Sequence, residues 1–194
     1  MKMTAWEKSF VNSTNHTREV ADRALKLLNR IEHRPGWRYL DVGCGVGAGP
    51  RAIAGATGLA VTGVDLDPQQ IDTARSGERK SNLDFKVMDA ASLEFPDAEF
   101  DIVATAMATH HIPNWERAVE EMIRVLRPGG YLIYTDFSFP AWLAKFARLG
   151  RRLTRFIGFP SAKGLDSLTA KAGLVKVHAL RRTRRMEFIW LKKG

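Results

Sequence analysis

The run Leu40-Asp41-Val42-Gly43-Cys44-Gly45-Val46-Gly47-Ala48-Gly49 constrains this chain more than any other segment. An apolar stretch of strand character ends beside an acid and opens directly into a loop with glycine at alternate positions. Glycine there lets the backbone take positive φ and lets another molecule approach it closely. Such a loop belongs at the carboxyl edge of a parallel sheet, where open α/β sheets hold ligands. The remaining sequence follows the same plan. Strand-like segments at Tyr39 to Val42, Ala60 to Leu66, Phe85 to Met88, Phe100 to Ala106 and Tyr131 to Phe137 are separated by four gaps, each with room for little more than one helix. This alternation predicts a doubly wound, mostly parallel sheet with helices on both faces.

Local signals place the helices. Val20, Ala24, Leu27, Leu28 and Ile31 recur at helical spacing and predict an opening helix from Thr17 to Ile31. Pro50 and Pro68 fall in first turns, where a missing amide proton costs little. A helix over Trp115 to Arg127 stops at Pro128-Gly129-Gly130, and a short helix over Leu165 to Lys171 closes at Gly173. Val175 to Thr183 and Met186 to Lys192 read as an antiparallel hairpin, which brings the strands to seven, the last antiparallel. The 194 residues suit one domain over 1–194, with an N-terminal arm and helix at 1–34 and an insertion at 138–164. Cys44 is the single cysteine, so no internal disulfide forms. No stretch approaches the roughly 18 apolar residues of a membrane span, and a cytoplasmic location is expected.

Three acids fall at three consecutive strand ends: Asp41, Asp65 and Asp89. A dinucleotide brings a pyrophosphate that seeks helix N-terminal amides, and an acid two residues before the first glycine does not help to hold it. S-adenosylmethionine instead brings an ammonium and a sulfonium, which suit Asp41. Asp65 stands where a Rossmann-like fold places an acid for ribose hydroxyls. Leu66 can pack on adenine, and Asp89 can accept a hydrogen bond from the adenine amino group.

In order and spacing, Leu40 to Gly49, Gly63 to Asp67, Met88 to Ala90, Phe100 to His111 and Leu126 to Leu132 resemble the motifs of class I S-adenosylmethionine-dependent methyltransferases. Within that class they look like the branch that methylates small molecules, quinones and lipids. The resemblance covers roughly Arg38 to Asp136. It implies a Rossmann-like sheet, S-adenosylmethionine as cofactor and S-adenosylhomocysteine as product. Carried over by position, it sets Asp41, Gly43, Gly45 and Gly47, with Cys44 among them, on the methionine side. Asp65 then holds the ribose, Asp89 with Ala90 meets the adenine, and Ala106 contributes backbone at the cofactor edge of strand four.

Methyl transfer from a sulfonium is an in-line displacement, so holding the nucleophile in line supplies much of the acceleration. A base is needed only where the acceptor must lose a proton near pH 7. His110 and His111, just beyond strand four, are the candidates. The five histidines show no metal-ligand spacing beyond this adjacent pair, and no metal is expected. Cys44 lies inside the glycine loop and not after strand four, which excludes cysteine-dependent methylation of pyrimidine carbon. The Asn/Asp-Pro-Pro-aromatic signature of base amino methylation is also absent.

Trp6 and Phe10 suggest a lid in the N-terminal arm, with His16 and Arg18 as partners for the methionine carboxylate. Trp142, Leu143, Phe146, Leu149, Leu153, Phe156 and Ile157 recur at helical spacing among Lys145, Arg148, Arg151, Arg152 and Arg155. Residues 141–159 thus form a basic amphipathic pattern, suited to an anionic membrane surface or to covering the acceptor pocket. The expected acceptor is small or lipid-like. The net charge of +9 keeps RNA or protein methylation as the less favoured alternative, beside a non-catalytic domain that only binds the cofactor.

Overall fold

The structure, a computed structural model, describes residues 14–137, 160–182 and 185–194. In chain order these form α1 (Thr14–Leu28), β1 (Arg38–Val42), α2 (Ala48–Ala56), β2 (Ala60–Asp65), α3 (Pro68–Ser76), β3 (Leu83–Val87), β4 (Phe100–Ala106), a 3₁₀ turn (Thr109–His111), α4 (Trp115–Val125), β5 (Leu126–Phe137), α5 (Ala162–Lys171), β6 (Leu174–Arg182) and β7 (Arg185–Lys192).

One seven-stranded sheet has the order β3-β2-β1-β4-β5-β7-β6. The first five strands are parallel, and β7 runs antiparallel to β5 and to β6 on either side of it. Winding reverses between β1 and β4, so their carboxyl ends flank the crevice where such sheets bind ligands. Alternation along the strands divides the core. Leu40, Val103, Leu132 and Tyr134 face α4 and α5, whereas Tyr39, Ile102, Ala104 and Ile133 face α1 and α2. Ile53 on α2 is fully buried in the second of these layers. Ile53→Val is expected to cost about 0.5–1.5 kcal/mol, the ordinary loss for one core methyl, measurable as a lower urea midpoint with unchanged slope.

The expected Rossmann-like, mostly parallel sheet with an antiparallel last strand is what the chain forms, with local departures. Helix α1 runs from Thr14 to Leu28 and not from Thr17 to Ile31; beyond it the Arg30 and Ile31 amides donate to the Leu27 and Leu28 carbonyls and tighten the chain into a turn. The third strand begins at Leu83 and ends at Val87, one residue short of Met88. No helix links β3 to β4. Arg124 of α4 instead donates to the carbonyls of Leu93 and Phe95 at 2.8 Å each and fixes that link as a series of turns.

Strand β5 begins at Leu126, which pairs with Phe100, and the ladder resumes at Tyr131 opposite Ile102, with Pro128-Gly129-Gly130 forming a bulge between them. A side chain on Gly130 would sit 2.6 Å from the Asp101 carbonyl oxygen, so the strands come this close only with glycine here. Helix α5 starts at Ala162, where the Ser161 hydroxyl accepts from the Gly164 amide; residues 162–164 therefore belong to this helix and not to the insertion. The amphipathic pattern at 141–159, Trp6, Phe10 and the His16 side chain lie outside the described residues. Among the described residues no helix is long and apolar enough to cross a membrane.

Candidate active site

Parallel β1 to β4 bring the singled-out positions to one sheet edge. Strand β1 leads into a loop in which Gly43, Gly45 and Gly47 all take positive φ, at 78°, 54° and 80°. Neighbours decide what these positions tolerate. A Cβ on Gly43 would come 2.3 Å from the Ala108 Cβ, and one on Gly47 would come 2.6 Å from the Phe85 ring. At Gly45 nothing lies within 4 Å, so its backbone faces open space. The loop is clamped against its neighbours on both flanks while its middle stays accessible.

Asp65 holds the loop in place. Its carboxylate accepts the Gly45 amide through Oδ2 and the Asp67 amide through Oδ1, both at 2.9 Å. Each carboxylate oxygen keeps a second lone pair for a ligand hydroxyl. Asp67 then caps α3 by accepting the Gln69 amide. Leu66, beside Asp65, is an apolar side chain left 47% exposed at the tip of β2. Asp89, exposed beyond β3, accepts the Ala91 amide at 2.9 Å and so shapes the third turn, with Ala90 packed at the core's edge.

Asp41 is the unusual group. It is buried, no hydrogen-bond donor among the described residues reaches its carboxylate, and its pKa is pushed up to about 7, first by burial and then by the negative charge of Asp65. Burial likewise raises Asp65, against the Asp67, Gly45 and Leu66 backbone amides that favour its charged form. Two carboxylates that oppose each other's ionisation in one crevice favour a cation between them. Cys44 turns its sulfur toward Gly63, and burial followed by the Asp41 and Asp65 charges raises its thiol pKa well above the ordinary value. It therefore stays a neutral thiol and offers a ligand only its backbone.

A second polar group faces the same edge from β4 and β5. Beyond Ala106 the chain turns sharply at Met107, whose φ of 56° is uncommon for a residue with a side chain and whose amide donates to the Thr135 carbonyl at 2.8 Å. That corner sets Ala108 against Gly43 and starts the 3₁₀ turn carrying His110 and His111. Asp136, fully buried at the end of β5, accepts His110 Nδ1 on Oδ1 at 2.6 Å and the His110 amide on Oδ2 at 3.0 Å. Thr109 Oγ1 donates to the same Oδ2, and the Tyr134 hydroxyl lies 2.5 Å from that Oγ1. The half-exposed His111 lies beside His110, with ring centroids 4.0 Å apart.

Sequence reading missed Asp136, Thr109 and Gln70. Asp136 had a signal, an acid inside the apolar run Tyr131 to Phe137. Gln70 had none. It lies one helical turn before Ala74, the α3 residue whose Cβ would sit 3.1 Å from a Cβ on Gly47. Its side-chain amide is buried with neither N nor O hydrogen-bonded among the described residues. Buried polar atoms without partners cost free energy unless something binds them. Among the described residues no group of three or more metal-ligating side chains occurs.

The strand order, the alternate positive-φ glycines and the strand-end acids define a Rossmann-like α/β domain with its candidate site at the carboxyl edge of the sheet. Residues 40–134 match the family model described as a methyltransferase domain. The chain belongs to the class I S-adenosylmethionine-dependent methyltransferases.

Among its relatives, the fatty-acid O-methyltransferase of Mycolicibacterium smegmatis is 36% identical over 138 residues, spanning 68% of this chain and 50% of that protein. The phthiotriol/phenolphthiotriol dimycocerosates methyltransferase 1 of Mycobacterium ulcerans is 41% identical over 128 residues, 62% of this chain and 47% of that protein. The 2-methyl-6-phytyl-1,4-hydroquinone methyltransferase of Synechocystis is 39% identical over 105 residues, 54% of this chain and 33% of that protein. The chain thus spans a third to a half of the length of these relatives. The fold is shared with the Haemonchus contortus phosphoethanolamine N-methyltransferase 2 bound to S-adenosylhomocysteine, at TM-score 0.76, 19% identity and 89% coverage of this chain against 53% of that one. It is shared too with a [4+2]-cyclase, at TM-score 0.71, 21% identity and coverage of 92% and 80%. Chemistry must therefore be argued from the site.

Proposed function

We propose that this chain transfers the methyl group of S-adenosylmethionine to a small or lipid-like acceptor and releases S-adenosylhomocysteine. The observation that carries the reading is the buried Asp41 carboxylate, without a donor among the described residues and raised to about 7 beside Asp65 and an open glycine loop. A neutral or anionic ligand would leave that charge uncompensated, whereas the ammonium and sulfonium of the cofactor compensate it. The cofactor supplies the activated methyl carbon. In this reading Asp41 and the backbone of Gly43, Cys44, Gly45 and Gly47 hold its methionine side. Asp65 takes the ribose hydroxyls, Leu66 covers the adenine, Asp89 and Ala90 meet the adenine edge, and Ala106 adds backbone at the transfer point. His110 and His111 line the acceptor's approach.

A lipid-like acceptor is supported by the fatty-acid, phytyl-hydroquinone and dimycocerosate enzymes among the relatives. It is also supported by the basic amphipathic pattern at 141–159, which suits a cytoplasmic protein resting on an anionic membrane surface. Titration calorimetry of the chain with S-adenosylhomocysteine tests the reading; saturable one-to-one uptake is expected, and no heat from folded protein overturns it. Incubation with methyl-labelled cofactor and a lipid extract then separates turnover from binding alone.

A further inference from the structure

We infer that the closed end of the β6–β7 hairpin, with Phe137 beside it, docks the acceptor side of this chain on an anionic lipid bilayer. The inference deepens the lipid-like-acceptor reading above and rests on it for what enters the site. Register places the hairpin. Strand β5 ends at Phe137, which pairs with Arg185, and Arg185 in turn pairs with Arg182 at the end of β6. Because β7 runs antiparallel to β5, the hairpin closes at the carboxyl edge of the sheet, the edge that carries the glycine loop and the two histidines. Phe137 joins the two regions: its ring lies 4.9 Å from that of His110, and the residue is 36% exposed.

Residues 181–185 read Arg-Arg-Thr-Arg-Arg. Neighbouring acids are already engaged. Glu19 of α1 accepts Arg23 at 2.7 Å and Arg185 at 3.0 Å, and Glu187 accepts Arg23 at 2.9 Å. Arg181, opposite Met186 in the ladder, is exposed and makes no ion pair among the described residues. Protection of an edge strand does not explain this placement. Charges that guard an edge belong where the strand is exposed and apolar. Val175 and Val177 of β6, 40% and 51% exposed, have between them only Lys176, whose ammonium is engaged by Asp166. The arginines gather at the strand's end instead.

An anionic bilayer matches this corner in charge and in polarity. Guanidinium groups fork onto headgroup phosphates, and an aromatic ring beside them settles at headgroup level with its apolar face toward the acyl chains. The chain outside the described residues leaves from the same point, since Phe137 is followed by the basic amphipathic pattern at 141–159. A nucleic-acid strand calls for arginines spread along a track with aromatic faces open for stacking. Here they collect at one tip, and the Phe137 ring is engaged at 69° to that of His110. A lipid-like acceptor then passes from bilayer to site without exposing its chain to water.

Flotation of the full chain with vesicles tests this. Binding is expected on vesicles of mixed phosphatidylcholine and phosphatidylglycerol, weakly on phosphatidylcholine alone, with the difference lost at 1 M salt, where screening shortens to about 3 Å. At about fivefold per arginine, Arg181→Glu with Arg184→Glu is expected to weaken binding to the anionic vesicles by about 30-fold. Lys26→Glu with Arg30→Glu makes the same change in net charge on exposed residues toward the other end of α1, and is expected to cost less than about threefold. On anionic vesicles, hydrogen exchange of the parent is expected to slow at residues 181–186, a reading that needs no variant. Equal binding to both vesicle types, equal losses in the two paired variants, or unchanged exchange at the hairpin overturns the inference. Binding of RNA in place of vesicles, lost in the hairpin variant, overturns it in favour of a nucleic-acid surface. S-adenosylhomocysteine uptake is read by calorimetry on the same proteins. Retained while flotation fails, it confines the failure to the docking surface; absent from the folded parent, it overturns the methyltransferase reading instead.

Discussion

Asp41→Asn is expected to make the ligand-free chain more stable at pH 8 and at the same time to weaken S-adenosylmethionine binding. The folded chain holds the Asp41 proton up to about 7, whereas an unfolded chain releases it near 3.8. Between those values the native state binds more protons than the unfolded state, so the Asp41 contribution to stability falls as pH rises. Its full cost is present above pH 7 and disappears toward pH 4. A shift of about three units corresponds to an upper bound of roughly 4 kcal/mol. Asparagine never ionises and escapes that cost, though it keeps the burden of a buried amide. A net gain of about 1–3 kcal/mol raises the melting temperature by roughly 3–8 °C for a domain of this size. The gain fades in parallel scans at pH 5. Losing a charge-assisted contact to the ammonium weakens binding by about 10- to 100-fold. A D41N chain that is less stable at pH 8 and binds as before removes the proposed role.

Asp65→Ala is expected to reduce affinity for S-adenosylhomocysteine by about 100-fold or more, from two charge-assisted hydrogen bonds to the ribose hydroxyls and the loosening of the loop. The Gly45 and Asp67 amides both lose their acceptor, and the open middle of the glycine loop loses its tie to β2. Hydrogen exchange should therefore quicken at Gly45 while the α4 amides stay protected. Asp65→Asn, which keeps one carbonyl oxygen, is expected to fall between parent and alanine variant. Equal affinities across the three proteins would sever Asp65 from the site.

The cofactor side was readable in the sequence because its determinants are local. Each acid lies within two residues of the end of a strand of five or six residues, and parallel strands with short crossovers can only deliver their carboxyl ends to one edge. Asp136 was not readable in that way. Its contact with His110 spans 26 residues and exists only because β4 and β5 pair with Ala106 opposite Thr135. The bulge at Pro128 to Gly130 shifts that register, and nothing in the spacing of residues alone sets its size. The β3–β4 link misled for a related reason. The gap has room for a helix, yet its Leu93 and Phe95 are buried in turns held by Arg124 from a later helix. Gln70 carried no pattern at all, since glutamine in a helix is ordinarily a solvated residue.

The position of β7 between β5 and β6 has a bearing on how the chain is made. Because β6 touches the sheet only through its successor, it has no partner to dock on when it leaves the ribosome. The growing polypeptide must carry a bare β5 flank and a waiting β6 until Lys192 has emerged. Nascent chains paused within the β6–β7 hairpin should therefore be the species most dependent on chaperones.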